Sequence, residues 1–256
     1  MTGFDHSGRT AEQPGPTEAG VSDVLGFAIV FGVVVLSITL MYTFGLGALE
    51  DIQHGEAMEN NERAFDILAD NMADIHNQRA PGRSTELQFG RGELSTTGQV
   101  GIVVNVSGGP ARDYQLTPIS YRSRETGFHY VTGAVVRTER DAGVVVHEPP
   151  FTFGSDRVVL SIVDTTIRGG TTSISGGTIR VTGRRQGQSE LTQVDTSVST
   201  VNVSITSPRY EAWARYFRRQ GCATVATDRT TGTVTCEFAT DEVYVRRTPI
   251  EVELTP

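Results

Sequence analysis

Three hydropathic patterns follow one another along the chain. The first is an almost continuous apolar run: from Val24 to Leu49 no charged side chain interrupts it, and its body reads LGFAIVFGVVVLSITLMYTFGLGAL between Asp23 and the pair Glu50 and Asp51. A helix of about 20 apolar residues spans a hydrocarbon layer of about 30 Å, so this run predicts a transmembrane helix with length to spare for tilt. The competing readings are weaker. A buried core helix of this length would show a polar face. A cleavable secretory signal needs a basic lead-in, an apolar core of roughly 7 to 15 residues and a small-residue cleavage site after it. Here the core is longer and the lead-in, MTGFDHSGRTAEQPGPTEAG, sets Arg9 against Asp5, Glu12 and Glu18. The expectation is a retained anchor over residues 21–49, preceded over 1–20 by a disordered leader or cytoplasmic tail.

The second pattern has a period near 3.6. Phe65, Leu68, Met72 and Ile75 recur at spacings of three and four, while Glu59, Glu62, Asp66, Asp70 and Asp74 follow the same spacing on a largely opposed face. An amphipathic helix from about Ile52 to Asn77 follows, within a helical extension over 50–80. Gly45, Gly47 and Gly55 are weak helix formers that mark where the spanning part could bend into it. A helix from near Val21 to before Pro81 would measure about 85 Å at 1.5 Å per residue. Its apolar stripe has two candidate partners, neighbouring subunits in a filament or this chain's own C-terminal domain, and the second is the simpler. The acidic stripe reads as a solvated face, since hard cations favour clustered loop carboxylates over a straight row.

Beyond Pro81 the period falls to 2. Short runs rich in Val, Ile and Thr predict strands at Val100 to Val106, Tyr114 to Tyr121, His129 to Arg137, Gly143 to His147, Val158 to Val163, Thr178 to Gly183 and Val198 to Ile205, with a last run of one or two strands from Glu242 to Leu254. Turn chemistry falls at Gly108-Gly109-Pro110, Gly169-Gly170 and Gly176-Gly177. The segment RYEAWARYFRRQG interrupts the strands: Ser207 is placed to N-cap a helix, Pro208 to open it and Gly221 to end it. Its aromatic side, Tyr210, Trp213, Ala214 and Phe217, reads as core. The fold class expected is α+β, a long N-terminal helix followed over 81–256 by a mainly antiparallel, β-sandwich-like head with one short helix.

Composition narrows the chemistry. The 256-residue chain has a net charge of -8, and all 22 of its basic residues are arginine. Without lysine no P-loop and no Schiff base can be built, and scattered arginines in an acidic chain argue against nucleic acid as a partner. Acid excess with complete avoidance of lysine fits adaptation to high salt, where screening blunts self-repulsion. The histidines, His6, His54, His76, His129 and His147, share no metal-ligand spacing, and HExxH, Cys-x-x-Cys and Gly-x-Ser-x-Gly are missing. GLGALE holds two of the three glycines of a dinucleotide fingerprint but leaves a membrane span rather than a strand. No catalytic residue, metal or cofactor is therefore assigned.

The segment AGVSDVLGFAIVFGVVVLSI resembles the N-terminus of haloarchaeal type IV pilin-like proteins. In that family prepilin peptidase cuts after a short polar leader ending in a small residue. The resemblance places the cut between Gly20 and Val21, with Ser22, Asp23, Val24 and Gly26 matching the opening pattern. Where the family carries Arg or Lys just before the cut, this chain has Glu18 and Ala19. The stretch ENNERAFDILADNMADI is similar to a segment of related haloarchaeal membrane proteins, and the Ser-Pro opening followed by Trp and Tyr is similar to one in pilin-like heads. The resemblance implies an anchored helix, an extracytoplasmic β-rich head, and prepilin peptidase and other pilin-like subunits as partners. Charge does not orient the span, since Arg9 on one side is matched by Arg63 on the other.

With the head outside, Asn105 and Asn202 of two Asn-x-Ser sequons become N-glycosylation acceptors. Cys222 and Cys236, which flank a candidate hairpin, become a disulfide whose loop of about 15 residues is worth about 3 kcal/mol, two free buried thiols being the alternative. The function expected is that of a non-enzymatic surface protein, a filament subunit or minor component. The alternatives are a permanently anchored envelope protein and a membrane-tethered hydrolase.

Overall fold

A computed structural model describes residues 17–140, 142–196 and 200–256. The chain divides into two compact units, 1–56 and 57–256, and helix α1 (Thr17–His76) contributes to both. The strands follow as β1 (Gly82–Ser95), β2 (Val100–Val106), β3 (Arg112–Leu116), β4 (Ile119–Ser123), β5 (Thr126–Val131), β6 (Ala134–Glu139), β7 (Ala142–His147), β8 (Phe151–Phe153), β9 (Arg157–Ile167), β10 (Ser173–Arg185), β11 (Glu190–Thr196) and β12 (Val201–Thr206). Helix α2 (Tyr210–Arg219) precedes β13 (Thr224–Asp228), β14 (Thr233–Phe238) and β15 (Glu242–Thr255).

The larger sheet runs β7-β6-β5-β4-β1-β10-β15-β9-β8, with β11 also paired to β15; the smaller runs β13-β14-β12-β2-β3. All pairs are antiparallel except β9 with β15. The expected α+β class, with a long apolar N-terminal helix and a sandwich-like, mostly antiparallel head, is what the structure has. Alternation makes the smaller sheet: Val100, Ile102, Val104 and Val106 of β2 and Val201, Val203 and Ile205 of β12 point inward and are buried. They face α2 and the outer strands of the larger sheet around Trp213, Tyr216 and Phe217. A second core lies on the other face of the larger sheet, where Phe65, Leu68, Met72 and Ile75 of α1 cover Leu87, Phe89, Phe128, Val181 and Val252.

Several boundaries differ from the sequence expectation, each for a local reason. The run Tyr114 to Tyr121 breaks at Thr117-Pro118 into β3 and β4, two strands of different sheets. The run His129 to Arg137 folds back at Thr132-Gly133, both with positive φ (48° and 85°), which is the two-residue type I′ connection that suits strand twist. Thr132 holds this unusual conformation because it is buried and its Oγ1 accepts a hydrogen bond from the Val163 amide at 3.2 Å. Gly176-Gly177 is no turn. It sits within β10, where the register with β1 shifts between Phe89 and Glu93. Helix α2 starts at Tyr210 with Arg209 as N-cap, and Ser207 instead accepts from the Arg209 amide at 3.1 Å in a tight turn before it. Gly221 does end that helix region, with φ of 78°. The final run is a single strand, and Pro249 falls where β15 changes partner from β11 to β10, a point at which its missing N–H costs little.

Candidate functional site

The strongest functional feature is the apolar stretch of α1. From Val24 to Thr43 no side chain is buried, and Phe27, Val24 and Met41 are 72%, 69% and 80% exposed. Among the described residues this is the one helix long and apolar enough to cross a membrane. Its Ser and Thr hydroxyls are satisfied internally: Ser37, Thr39 and Thr43 donate to the carbonyls of Val33, Val35 and Thr39 at 2.7, 2.8 and 2.7 Å. Such back-bonding removes the cost of a free hydroxyl where no water is present. Gly20 and Val21, the bond assigned to prepilin peptidase, fall within the backbone of α1; their side chains and residues 1–16 lie outside the described residues.

In the unit 57–256 the apolar stripe of the helix is spent on the chain's own sheet. Phe65 stacks on Phe128 with ring centres 5.6 Å apart and lies 6.4 Å from Phe89, which in turn stacks on Tyr121 at 4.0 Å. The acidic stripe is less solvated than its spacing suggested. Glu62 accepts from Arg137 at 3.0 Å, Asp66 lies 3.7 Å from His147, and Asp74 accepts from Arg83 at 2.9 Å. Partial burial raises the Asp66 carboxyl above its ordinary value, against the pull of His147, and nearby Glu62 and Asp70 add to the rise. Sequence periodicity could not supply these partners, because Arg137 and His147 come from strands more than 70 residues away.

The buried titratable groups of the head favour structure over proton transfer. His76 at the end of α1 lies 2.9 Å from Thr248 Oγ1, which is 3.0 Å from Ser189 Oγ. Burial, with Arg246 close by, holds its pKa down to about 4. His129 contacts Thr138 Oγ1 at 3.2 Å, and burial with Arg209 and Arg122 near it pushes its pKa to about 2. Both rings are thus neutral at ordinary pH and only weakly basic. Asp164, buried on β9, accepts at its single Oδ2 from both Nε and Nη2 of Arg247 on β15, at 2.8 and 2.6 Å, a charge-assisted contact that ties the parallel strands together. No group of three or more His, Cys, Asp or Glu converges as a metal site among the described residues. An open depression of about 370 Å³ lies over Gly82, Ser84, Thr182 and Arg184.

The predicted cysteine pair meets, and so do the two sequon asparagines, whose pairing was not predicted. Cys222 and Cys236 form a disulfide with Cα atoms 5.6 Å apart, joining the segment before β13 to the middle of β14. Asn105 and Asn202, 97 residues apart in sequence, stand directly opposite each other in the β2–β12 ladder. Periodicity gave both strands but not their pairing.

Set against known families, residues 20–253 match the model of DUF7289, a family of unknown function. The chain belongs to the DUF7289 family. No curated protein and no solved structure matches it. The matched residues take in the apolar helix together with both sheets.

Proposed function

We propose that the protein is a non-enzymatic, single-pass membrane protein whose N-terminal helix anchors a β-rich head outside the cell, as a pilin-like subunit or minor component of a type IV filament. The observation that carries this reading is the run Val24–Thr43, free of charge and uncovered, with its Ser and Thr hydroxyls bonded back into the helix. At about 25 cal/mol per Å² such a surface is far too costly to leave in water. The disulfide supports an oxidising, extracytoplasmic setting for the head. The N-terminal resemblance supports processing at Gly20 and Val21, and avoidance of lysine supports a halophilic archaeal source.

The burial of Phe65, Leu68, Met72 and Ile75 within the head favours a second reading, a permanent anchor that never polymerises, because that stripe is already occupied and unavailable to a filament seam. The tests are direct. Sedimentation of lysed cells without detergent should carry the full-length protein into the membrane fraction, and recovery in the supernatant would end both readings. The N-terminal mass separates them: a chain beginning at Val21 supports the filament version, and an intact start at Met1 or Thr2 supports the permanent anchor.

A further inference from the structure

The outer face of the smaller sheet is built from short hydroxyl and amide side chains, with Ser204 against Thr235 at 2.8 Å and Thr206 against Thr233 at 2.9 Å. At one end of this face the two sequon asparagines form a direct cross-strand pair. They are not equivalent. β12 is an inner strand, so half-buried Asn202 is flanked by Asn105 on one side and Glu237 on the other. Asn105 is exposed, and its second side is open because the ladder of β3 on β2 stops at the pair Val104 with Arg112. Directly opposed residues have Cβ atoms about 4.5 to 5.5 Å apart, narrower than a hydrated sugar ring. One glycan therefore covers the other site.

We infer that Asn105 is an N-glycosylation site and that Asn202 is its shielded, unmodified neighbour; this rests on the reading that the head lies outside. The co-reactant is a lipid-linked sugar phosphate handled by a glycosyltransferase. The Asn105 Nδ2 bonds to the anomeric carbon, the bond from that carbon to the phosphate oxygen breaks, the lipid phosphate leaves with the electron pair, and the amide proton passes to the enzyme's base. In the folded head the sequon hydroxyls are engaged, Ser107 donating to the Thr200 carbonyl at 2.8 Å and Ser204 paired with Thr235. Transfer to Asn105 thus precedes pairing of β2 with β12: Asn105 is made first and waits on a strand 97 residues downstream, and Asn202 then enters the ladder beside an occupied site.

The arginine positions give a clean assay, since trypsin releases the two sequons on separate peptides, 92–112 and 186–209. In protein extracted from its native membranes, the added sugar mass is expected on peptide 92–112 alone. Asn105→Gln should remove the glycan from that peptide, and Asn202→Gln should leave it in place. Sugar on peptide 186–209, on both peptides of one molecule, or on neither overturns the assignment. Trypsin applied to intact cells keeps the two levels apart: digestion of the head with peptide 92–112 unmodified sinks only the glycan, whereas a protected head sinks the surface reading and the glycan with it.

Discussion

Replacing Phe65 by Ala tests whether the amphipathic part of α1 belongs to the head or to a neighbour. Phe65 is fully buried, its ring meets Phe89 and Phe128, and no part of it reaches solvent. Truncating a buried Phe to Ala removes transfer energy and leaves a cavity, for a loss of about 3 to 5 kcal/mol. In a unit the size of 57–256 each kcal/mol lowers the melting temperature by about 2 to 4 °C, so the expected fall is about 6 to 20 °C. Phe65→Leu keeps most of the apolar volume but loses the two ring contacts, at about 0.5 to 1.5 kcal/mol each. Ile67→Ala is the control, because Ile67 on the adjacent face is 55% exposed and its loss should stay within about 0.5 kcal/mol. The assay is thermal unfolding of the full chain in detergent, followed both by far-UV circular dichroism and by fluorescence of Trp213, the single tryptophan, which lies in the other core. Equal shifts by both probes show that the two cores melt together. If Phe65→Ala moves the transition no further than Ile67→Ala, the stripe does not hold the head and the packing argument is wrong.

Three further outcomes follow from particular contacts. His76 and His129 have folded pKa values of about 4 and about 2, below their ordinary 6.5, so their contribution is complete above pH 6.5 and is lost as pH falls towards those values. Urea unfolding at a series of pH values should show stability declining below 6.5, and the double variant His76→Gln, His129→Gln should flatten that decline; a wild-type protein with no slope there would contradict it. The Cys222→Ser, Cys236→Ser variant should lose about 3 kcal/mol of stability to urea, and a loss near zero would mean that the bridge constrains little. A Cβ at Gly183 would come within 2.8 Å of Met72 Sδ and 3.1 Å of Ile75 Cδ1. Gly183→Val should therefore cost about 1 to 3 kcal/mol by overpacking, and pairing it with Met72→Ala should recover part of that in a double-mutant cycle.

The elements were legible in the sequence to the extent that a period declared them. Uninterrupted apolarity over Val24 to Leu49 marked the long apolar helix, the three-and-four spacing of Phe65 to Ile75 marked the face that is buried, and alternation in Val100 to Val106 gave β2 at its full length. β1, with the sequence GRSTELQFGRGELS, was not legible, because charged, glycine and apolar residues mix along it and only its pairing with β10 and β4 makes it a strand. β8 and β11 escaped for the same reason, one being three residues long and the other polar.

Local sequence thus determined both helices and the strands with clear alternation, which of their faces are apolar, and that one helix is apolar along about 20 residues, because these depend on neighbours within a few residues. Only the tertiary structure decided that β9 and β15 run parallel, that Glu62 meets Arg137, that His76 and His129 are buried neutral, and that Asn105 faces Asn202. Each of those depends on strand order and register, which bring together side chains tens of residues apart, and the periodicity of a single segment carries no information about its partner.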